Sequence, residues 1–283
     1  MNMSALKITS TANPRIKQII RLRQRSHRDA VKQMLIEGYR EIQRAASNQH
    51  PIDALFFCEE LFQGENNHTL LETAKHSGAT LFQCSKPVFE KISYRDRPDG
   101  LLALAPQLHL TLADIPLTDT PFLVIAESIE KPGNLGTILR SADAAGADAV
   151  IVCDRCTDIN NPNVVRASIG TLFCRPVVEA SSAETLEWLR DHDIQSLAAT
   201  PQAQTLYTEA DCKVPIAVVV GTEQYGLSAE WMQQADQQIR IPMHGQADSL
   251  NVATATTILL FEVRRQRDRI NTLKTPRQKA TGK

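Results

Sequence analysis

Three segments of this 283-residue chain combine glycine with residues able to hold or move charge. The first runs Glu127-Ser-Ile-Glu-Lys-Pro-Gly-Asn-Leu-Gly-Thr-Ile-Leu-Arg140. Its Pro-Gly pair makes a turn leading into a helix, with Asn134 near the first turn. There an Asn side chain and free backbone N–H groups suit a phosphate or carbonyl oxygen, or serve as a plain N-cap. Arg140, six residues on, is close to two turns away and not quite on the same face. It is a long cation in an otherwise small and apolar helix, placed either to meet a ligand or to fill a buried ion pair. The second segment is Val218-Val-Val-Gly-Thr-Glu-Gln-Tyr-Gly-Leu-Ser228. Glycine at the C-terminal end of a buried strand lets a ligand approach the backbone, the usual ligand side of a parallel sheet. The spacing is neither G-x-G-x-x-G nor a phosphate loop ending in Gly-Lys-Ser/Thr, which argues against a nicotinamide dehydrogenase or a nucleotide hydrolase. The third is Ile239-Arg-Ile-Pro-Met-His-Gly-Gln-Ala-Asp-Ser-Leu-Asn-Val-Ala253. A strand ends near Pro242, a glycine loop follows, and Ser249 and Asn251 stand where a helix begins. Asn251 offers a donor and an acceptor, while Ser249 would serve well as a helix cap.

The elements that must position these segments follow from hydrophobic patterning. Short apolar strands are expected over 122–126, 149–153, 195–199, 216–220 and 238–241. Helices are expected over 134–145, 181–191, from 229, and from about 249 to 270. Strands separated by helices give an α/β fold with a parallel sheet covered on both faces. Ahead of it, 13–46 reads as helices. Strands at 52–58, 80–83 and 100–105, with a helix around 70–76, complete a small α/β unit. The proline-containing, glycine-free stretch 106–121 reads as a linker. The expected organisation is therefore 1–106, a linker at 107–120, a second domain at 121–270, and a basic tail at 271–283.

Composition is that of an ordinary globular protein, 42% apolar and 22% charged. No apolar run approaches the roughly 20 residues of a membrane span, and the N-terminus lacks the apolar stretch of a secretory signal. Six cysteines without regular spacing suggest a reducing cytoplasm rather than a disulfide scaffold. Cys153-Asp-Arg-Cys156 is a lone C-x-x-C without a second ligand pair, so no metal is expected. The net charge of -1 conceals two basic ends on an acidic body. Residues 1–50 carry 10 Lys/Arg against 3 Asp/Glu, and residues 264–283 carry 8 against 1. Concentrated cations at both ends imply a polyanionic partner, or else solvated helices and a frayed tail.

Taken together and in this order, the three segments resemble the SpoU-type (TrmH-like) branch of the SPOUT RNA methyltransferases. The family's Asn-x-Gly-x-Ile-x-Arg matches Asn134 to Arg140. Its Gly-x-Glu-x-x-Gly-Leu-Ser matches Gly221 to Ser228, and its Ile-Pro-Met-x-Gly-x-x-x-Ser-Leu-Asn-Val matches Ile241 to Val252. Arg166-Ala-Ser-Ile-Gly-Thr-Leu-Phe173 is similar to the family's Arg-x-Ser-x-Gly segment. Ala253 departs from the Ser common in relatives. The resemblance covers about 120–265. More loosely, Ser10, Asn13, Pro14, Lys17, Glu37 and Gly38 resemble the small substrate-recruiting domain that many such enzymes carry.

The resemblance implies a parallel sheet closed by a trefoil knot, binding of S-adenosylmethionine, a homodimer formed through the catalytic domain, and methyl transfer to a ribose 2′-hydroxyl of RNA. The favoured substrate is rRNA, with tRNA, or a catalytically inactive RNA-binding or ribosome-assembly protein, as alternatives. Backbone groups around Gly221, Ile241, Met243 and Leu250 would hold the cofactor, with Ser249, Asn251 and Glu223 lining the adjoining site. Ala199 and Thr200 would lie close by. Asn134 and Arg140 complete the implied catalytic set, Arg140 either as the proton-handling group or as an electrostatic clamp. Arg15, Lys17, Arg21, Arg28 and Arg166 are the expected RNA contacts.

Overall fold

The computed structural model describes residues 5–155 and 157–274, the last six (269–274) by backbone alone. The chain forms two compact units, neither continuous in sequence. The first comprises Met1–Leu110, Glu130–Arg140 and Cys156–Val177; the second comprises Thr111–Ile129, Ser141–Arg155 and Val178–Lys283.

The first unit begins with β1 (Leu6–Ile8), α1 (Pro14–Arg21), α2 (Arg25–Val31), β2 (Gln33–Glu37) and α3 (Tyr39–Ser47). It continues through β3 (Ala54–Phe57), α4 (Asn67–His76), β4 (Thr80–Cys84), α5 (Lys86–Ile92) and β5 (Leu101–Pro106). Asn13 caps α1, its Oδ1 accepting from the Arg15 N–H at 2.9 Å, and Pro14 supplies a helix-ready φ at the first position. Ile16, Ile19 and Leu22 are buried beneath it with Phe56, Phe82 and Phe89. The sheet order is β1-β4-β3-β5-β2, parallel at β1/β4 and β3/β4 but antiparallel where β5 meets β2 and β3. The expectation of helices throughout 13–46 needs correction, since β2 interrupts them. Met34, Leu35 and Ile36 are all fully buried, and such a continuous apolar run is satisfied on both faces of a strand, not along one helix stripe.

The second sheet is built from β6 (Phe122–Glu127), β7 (Ala149–Cys153), β8 (Val177–Ala180), β9 (Gln195–Ala199), β10 (Thr205–Leu206), β11 (Ile216–Val220) and β12 (Gln237–Arg240). Between these run α6 (Pro132–Ala145), α7 (Pro162–Ala167), α8 (Ser182–Asp191) and α9 (Ala229–Gln234), and α10 (Val252–Lys274) follows. Strand order is β10-β12-β9-β11-β6-β7-β8. The pairings β10/β12, β12/β9, β9/β11, β11/β6 and β6/β7 are all parallel, as the strand–helix alternation requires. Every residue of β6, β7 and β11 is buried, the mark of strands covered on both faces. This order sets the C-terminal ends of β9, β11 and β12 side by side.

Candidate active site

The loops leaving β9, β11 and β12 enclose a cavity of about 500 Å³ in the second unit. Ala199 and Thr200 come from the first loop, Gly221–Leu227 from the second, and Ile241, Met243 and Asp248–Leu250 from the third. Val252, Ala255 and Leu259 of α10 supply an apolar floor. The second loop folds back on itself. Thr222 and Gly226 exchange two backbone hydrogen bonds, at 3.0 and 3.1 Å, and the Tyr225 N–H donates to Thr222 Oγ1 at 2.9 Å. Gly221 is needed beneath this turn, because a Cβ there would press into the Gly226 carbonyl and lie 2.8 Å from the Leu227 nitrogen.

Glu223 and Asn251 meet at the mouth, the Asn251 Nδ2 donating to Glu223 Oε1. The same Asn251 caps α10, its Oδ1 accepting from the Ala253 N–H at 3.1 Å and the Thr254 N–H at 3.4 Å. Capping therefore belongs to Asn251 rather than Ser249, whose hydroxyl instead donates to Asp248 Oδ1 at 3.4 Å. One side chain thus fixes the start of α10 and orients a carboxylate at the cavity rim. The apolar walls suit a flat heteroaromatic ring. The Gly221 backbone allows close approach, and Glu223 with Asp248 complements a cationic group.

Behind the cavity lies a buried network that sequence reading did not single out. Glu127, at the end of β6, accepts from the Ser228 N–H at 2.9 Å and from Ser182 Oγ at 3.3 Å. The Trp231 indole N–H donates to Ser182 Oγ at 2.8 Å, and Trp231 is fully buried. The network pins the start of α9, and so the far end of the second loop. An acid closing a wholly apolar strand was the available signal, since a buried carboxylate must be hydrogen-bonded. Nearby, burial pushes the Cys153 thiol up to about 12 while its sulfur contacts Thr185 Oγ1 at 3.2 Å. Its C-x-x-C partner, Cys156, lies outside the described residues.

The remaining expected residues belong to the first unit. Asn134 is half-buried in the opening turn of α6. Arg140 is exposed and carries no ion pair among the described residues, which removes the buried-pair alternative. Arg166 is exposed in the last turn of α7. Arg15, Lys17 and Arg21 are exposed on α1, with the Arg15 guanidinium 4.8 Å from the Phe82 ring centroid. Arg28 is corrected. It is only 2% exposed and ion-paired with Asp158 at 2.6 Å, so it cannot meet a phosphate. The C-terminal basic run is also less free than its charge suggests. Arg267 donates to the carbonyls of Thr120, Pro121, Cys212 and Val214, and its burial lowers its pKa. Arg264 and Arg265 pair with Asp268 and Glu262. Of the tail expected at 271–283, residues 271–274 continue α10 in their backbone and the remainder lies outside the described residues.

Comparison with known proteins adds independent evidence. Residues 121–261 match the SpoU rRNA Methylase family, and residues 13–103 match the MRM3-like substrate binding domain. A 23S rRNA uridine 2′-O-methyltransferase of Streptomyces viridochromogenes is 31% identical over 89% of this chain and 89% of its own. An RNA 2′-O ribose methyltransferase of known crystal structure is 43% identical, with a TM-score of 0.80, covering 93% of this chain and 99% of that one. An AdoMet-bound rRNA methyltransferase from Sinorhizobium meliloti superposes with a TM-score of 0.85 at 32% identity, covering 92% of this chain and 98% of that one.

Proposed function

The chain belongs to the SpoU rRNA methylase family, and from that premise we propose that it transfers a methyl group from S-adenosylmethionine to a ribose 2′-hydroxyl of RNA, with rRNA as the substrate. The observation that carries this is the cavity in which the second and third motif loops meet, with Glu223 and Asn251 joined at its mouth.

The residues present fit the donor. Gly221, Ile241, Met243 and Leu250 would hold it, the apolar side chains against the adenine and the glycine backbone close beside it. Ser249 and Glu223, which line the cavity, and Asn251, hydrogen-bonded to Glu223, would line the adjoining site. When bound, S-adenosylmethionine supplies a methyl group already activated on a cationic sulfur. The protein's tasks are then alignment and management of the hydroxyl proton. Glu223, oriented by Asn251, places negative charge at the rim, where a sulfonium is complemented. Arg140, on α6, is exposed and has no ion pair among the described residues. A guanidinium holds its proton tightly and is a poor base, so the role assigned to Arg140 is to clamp the target's phosphate or stabilise a developing alkoxide. Asn134 joins it as a substrate-facing group on the same helix.

Exposed Arg15, Lys17, Arg21 and Arg166 are the proposed RNA contacts, supported by their exposure and, for the first three, by the match to a substrate-binding domain. As domains in sequence we propose 1–106 and 121–270, joined by a linker at 107–120 and followed by a tail at 271–283, a division supported by the matches over 13–103 and 121–261, although the compact units group 130–140 and 156–177 with the N-terminal part. The same reading carries a C-terminal segment threaded into a trefoil knot, a homodimer through the catalytic domain and a cytoplasmic place of work. Exposed Phe261 on α10, 48% accessible, is consistent with a covered face in such a dimer. Among the described residues no helix is long and apolar enough to cross a membrane.

The test is transfer of labelled methyl from S-adenosylmethionine to rRNA and tRNA, separately, from cells lacking the protein. Label in an alkali-resistant dinucleotide of rRNA is the expected result. Label confined to tRNA would overturn the substrate. Absence of label together with absence of cofactor binding would favour a non-catalytic RNA-binding protein.

A further inference from the structure

We infer that Arg28 is a positioning residue for methyl transfer, acting through α7 on the first turns of α6; the inference rests on the function proposed above. The Arg28 guanidinium is buried and forked. Nη2 donates to Asp158 Oδ2 at 2.6 Å, while Nη1 donates to the carbonyls of Leu22 at 2.8 Å and Arg23 at 3.1 Å. One side chain therefore ties the end of α1 to α2 and to the loop that precedes α7. Asp158 is itself held, its Oδ1 accepting from the Asn160 N–H at 2.8 Å, and Asn160 Oδ1 accepts from the Leu108 N–H at 2.8 Å. Just beyond the other end of α7, Arg44 of α3 donates to the Ile169 carbonyl. This short helix is clamped at both ends to the elements that match a substrate-binding domain.

Helix α7 in turn sets α6. A Cβ on Gly136 would run into Ala167 and lie 2.8 Å from the Ser168 nitrogen, so the two helices touch backbone to backbone there. Thr157 Oγ1, beside Asp158, donates to the Glu130 carbonyl at 2.5 Å, fixing the turn that leads into α6. Gly136 lies between Asn134 and Arg140, the two motif residues this helix carries. Their position is thus referred to α7, and that of α7 to Arg28 and Arg44.

A buried ion pair is a poor means of stabilisation, because well-packed apolar residues of similar volume often do as well or better. Arg28 even leaves its Nε without a partner among the described residues. What a forked, planar guanidinium supplies and an apolar contact does not is direction. The geometry therefore assigns the pair to registering α7, and the residues it supports, against the recruiting elements.

Two variants test this. Arg28→Lys keeps the charge and loses the fork. The double variant Arg28→Met/Asp158→Leu removes the buried charges while keeping bulk. Each is compared with wild type for Tm, for S-adenosylmethionine affinity and stoichiometry, and for kcat/KM on the RNA that wild type methylates. A merely structural role would lower Tm and binding stoichiometry together and leave activity per bound cofactor unchanged. The expected result is wild-type cofactor affinity in both variants, with kcat/KM per cofactor site lowered by about tenfold or more, in keeping with the cost of an ångström-scale misplacement. A double variant with wild-type Tm and kcat/KM within about twofold of wild type would overturn the inference. If the double variant does not fold, Arg28→Lys decides alone, and wild-type kcat/KM per site in that variant would overturn it too. Failure of the wild-type protein to methylate any RNA would defeat the proposed function, a result separate from either of these.

Discussion

Gly221→Ala measures how far the cavity depends on its second loop. The new Cβ would lie 2.6 Å from the Gly226 carbonyl carbon and 2.8 Å from the Leu227 nitrogen, whereas ordinary contact begins at 3.4 Å. The backbone at 226–227 must then retreat by about 0.6 to 0.8 Å, the difference between those distances. The turn is held by the two Thr222–Gly226 hydrogen bonds, at 3.0 and 3.1 Å, and such a shift takes both out of hydrogen-bond range. At about 1 kcal/mol net for each neutral bond, reduced because the turn is exposed, the loss is about 1 to 2 kcal/mol. Since 1.4 kcal/mol is tenfold, S-adenosylmethionine affinity should weaken by about five- to thirtyfold. Calorimetric titration reads this directly. Gly245→Ala is the control, because a Cβ there meets nothing within 4 Å and its φ is not positive. The variant turn is at the surface, so Tm should fall by only a few degrees. Wild-type affinity in Gly221→Ala would refute both the placement of the cofactor and the argument from the turn.

The parallel sheet was legible because its strands are short, wholly apolar and separated by helical spacing, as in 122–126 and 216–220. That signal is local. The cavity is not local, since it exists because β11 lies between β9 and β6 and β12 lies on the other side of β9. No periodicity carries strand order, and the grouping of Gly221, Ile241 and Leu250 came from motif resemblance instead. Arg28 shows the limit of charge counting. Lys17, Arg21 and Arg28 look alike in a basic segment, and only the fold brings Asp158, distant in sequence, against one of them. The strand at Gln33–Glu37 was missed for a related reason. Its neighbours are amphipathic basic helices, and a short apolar run between them has no period of its own. Ser249 and Asn251 are both good caps, and the choice turns on which residue precedes the first helical φ and ψ. The structure gives that to Asn251, since α10 starts at Val252.

Three further variants follow from the site. Arg140→Ala should lower kcat by about a hundredfold or more, the scale of lost transition-state electrostatics, while leaving S-adenosylmethionine affinity unchanged; wild-type turnover would remove Arg140 from the mechanism. Lys17→Gln with Arg21→Gln should flatten the dependence of log K on log salt for RNA binding by about 0.7 to 0.9 per charge, and an unaltered slope would place RNA elsewhere. His50→Gln bears on stability. The His50 Nε2 lies 3.0 Å from the Pro106 carbonyl, and the ring packs on Phe173 with centroids 4.8 Å apart. Burial lowers its pKa below the usual 6.5, although Pro106 and Asp53 act the other way. In the window between that lowered value and 6.5, the unfolded chain binds more protons than the folded one. Its contribution is therefore complete above pH 6.5 and is lost as pH falls through the folded value. Wild-type Tm should drop between about pH 7 and pH 5, and the variant should lose less over the same range, because glutamine can still donate to the carbonyl without titrating. Parallel Tm profiles for the two proteins would show that His50 does not set this part of the pH dependence.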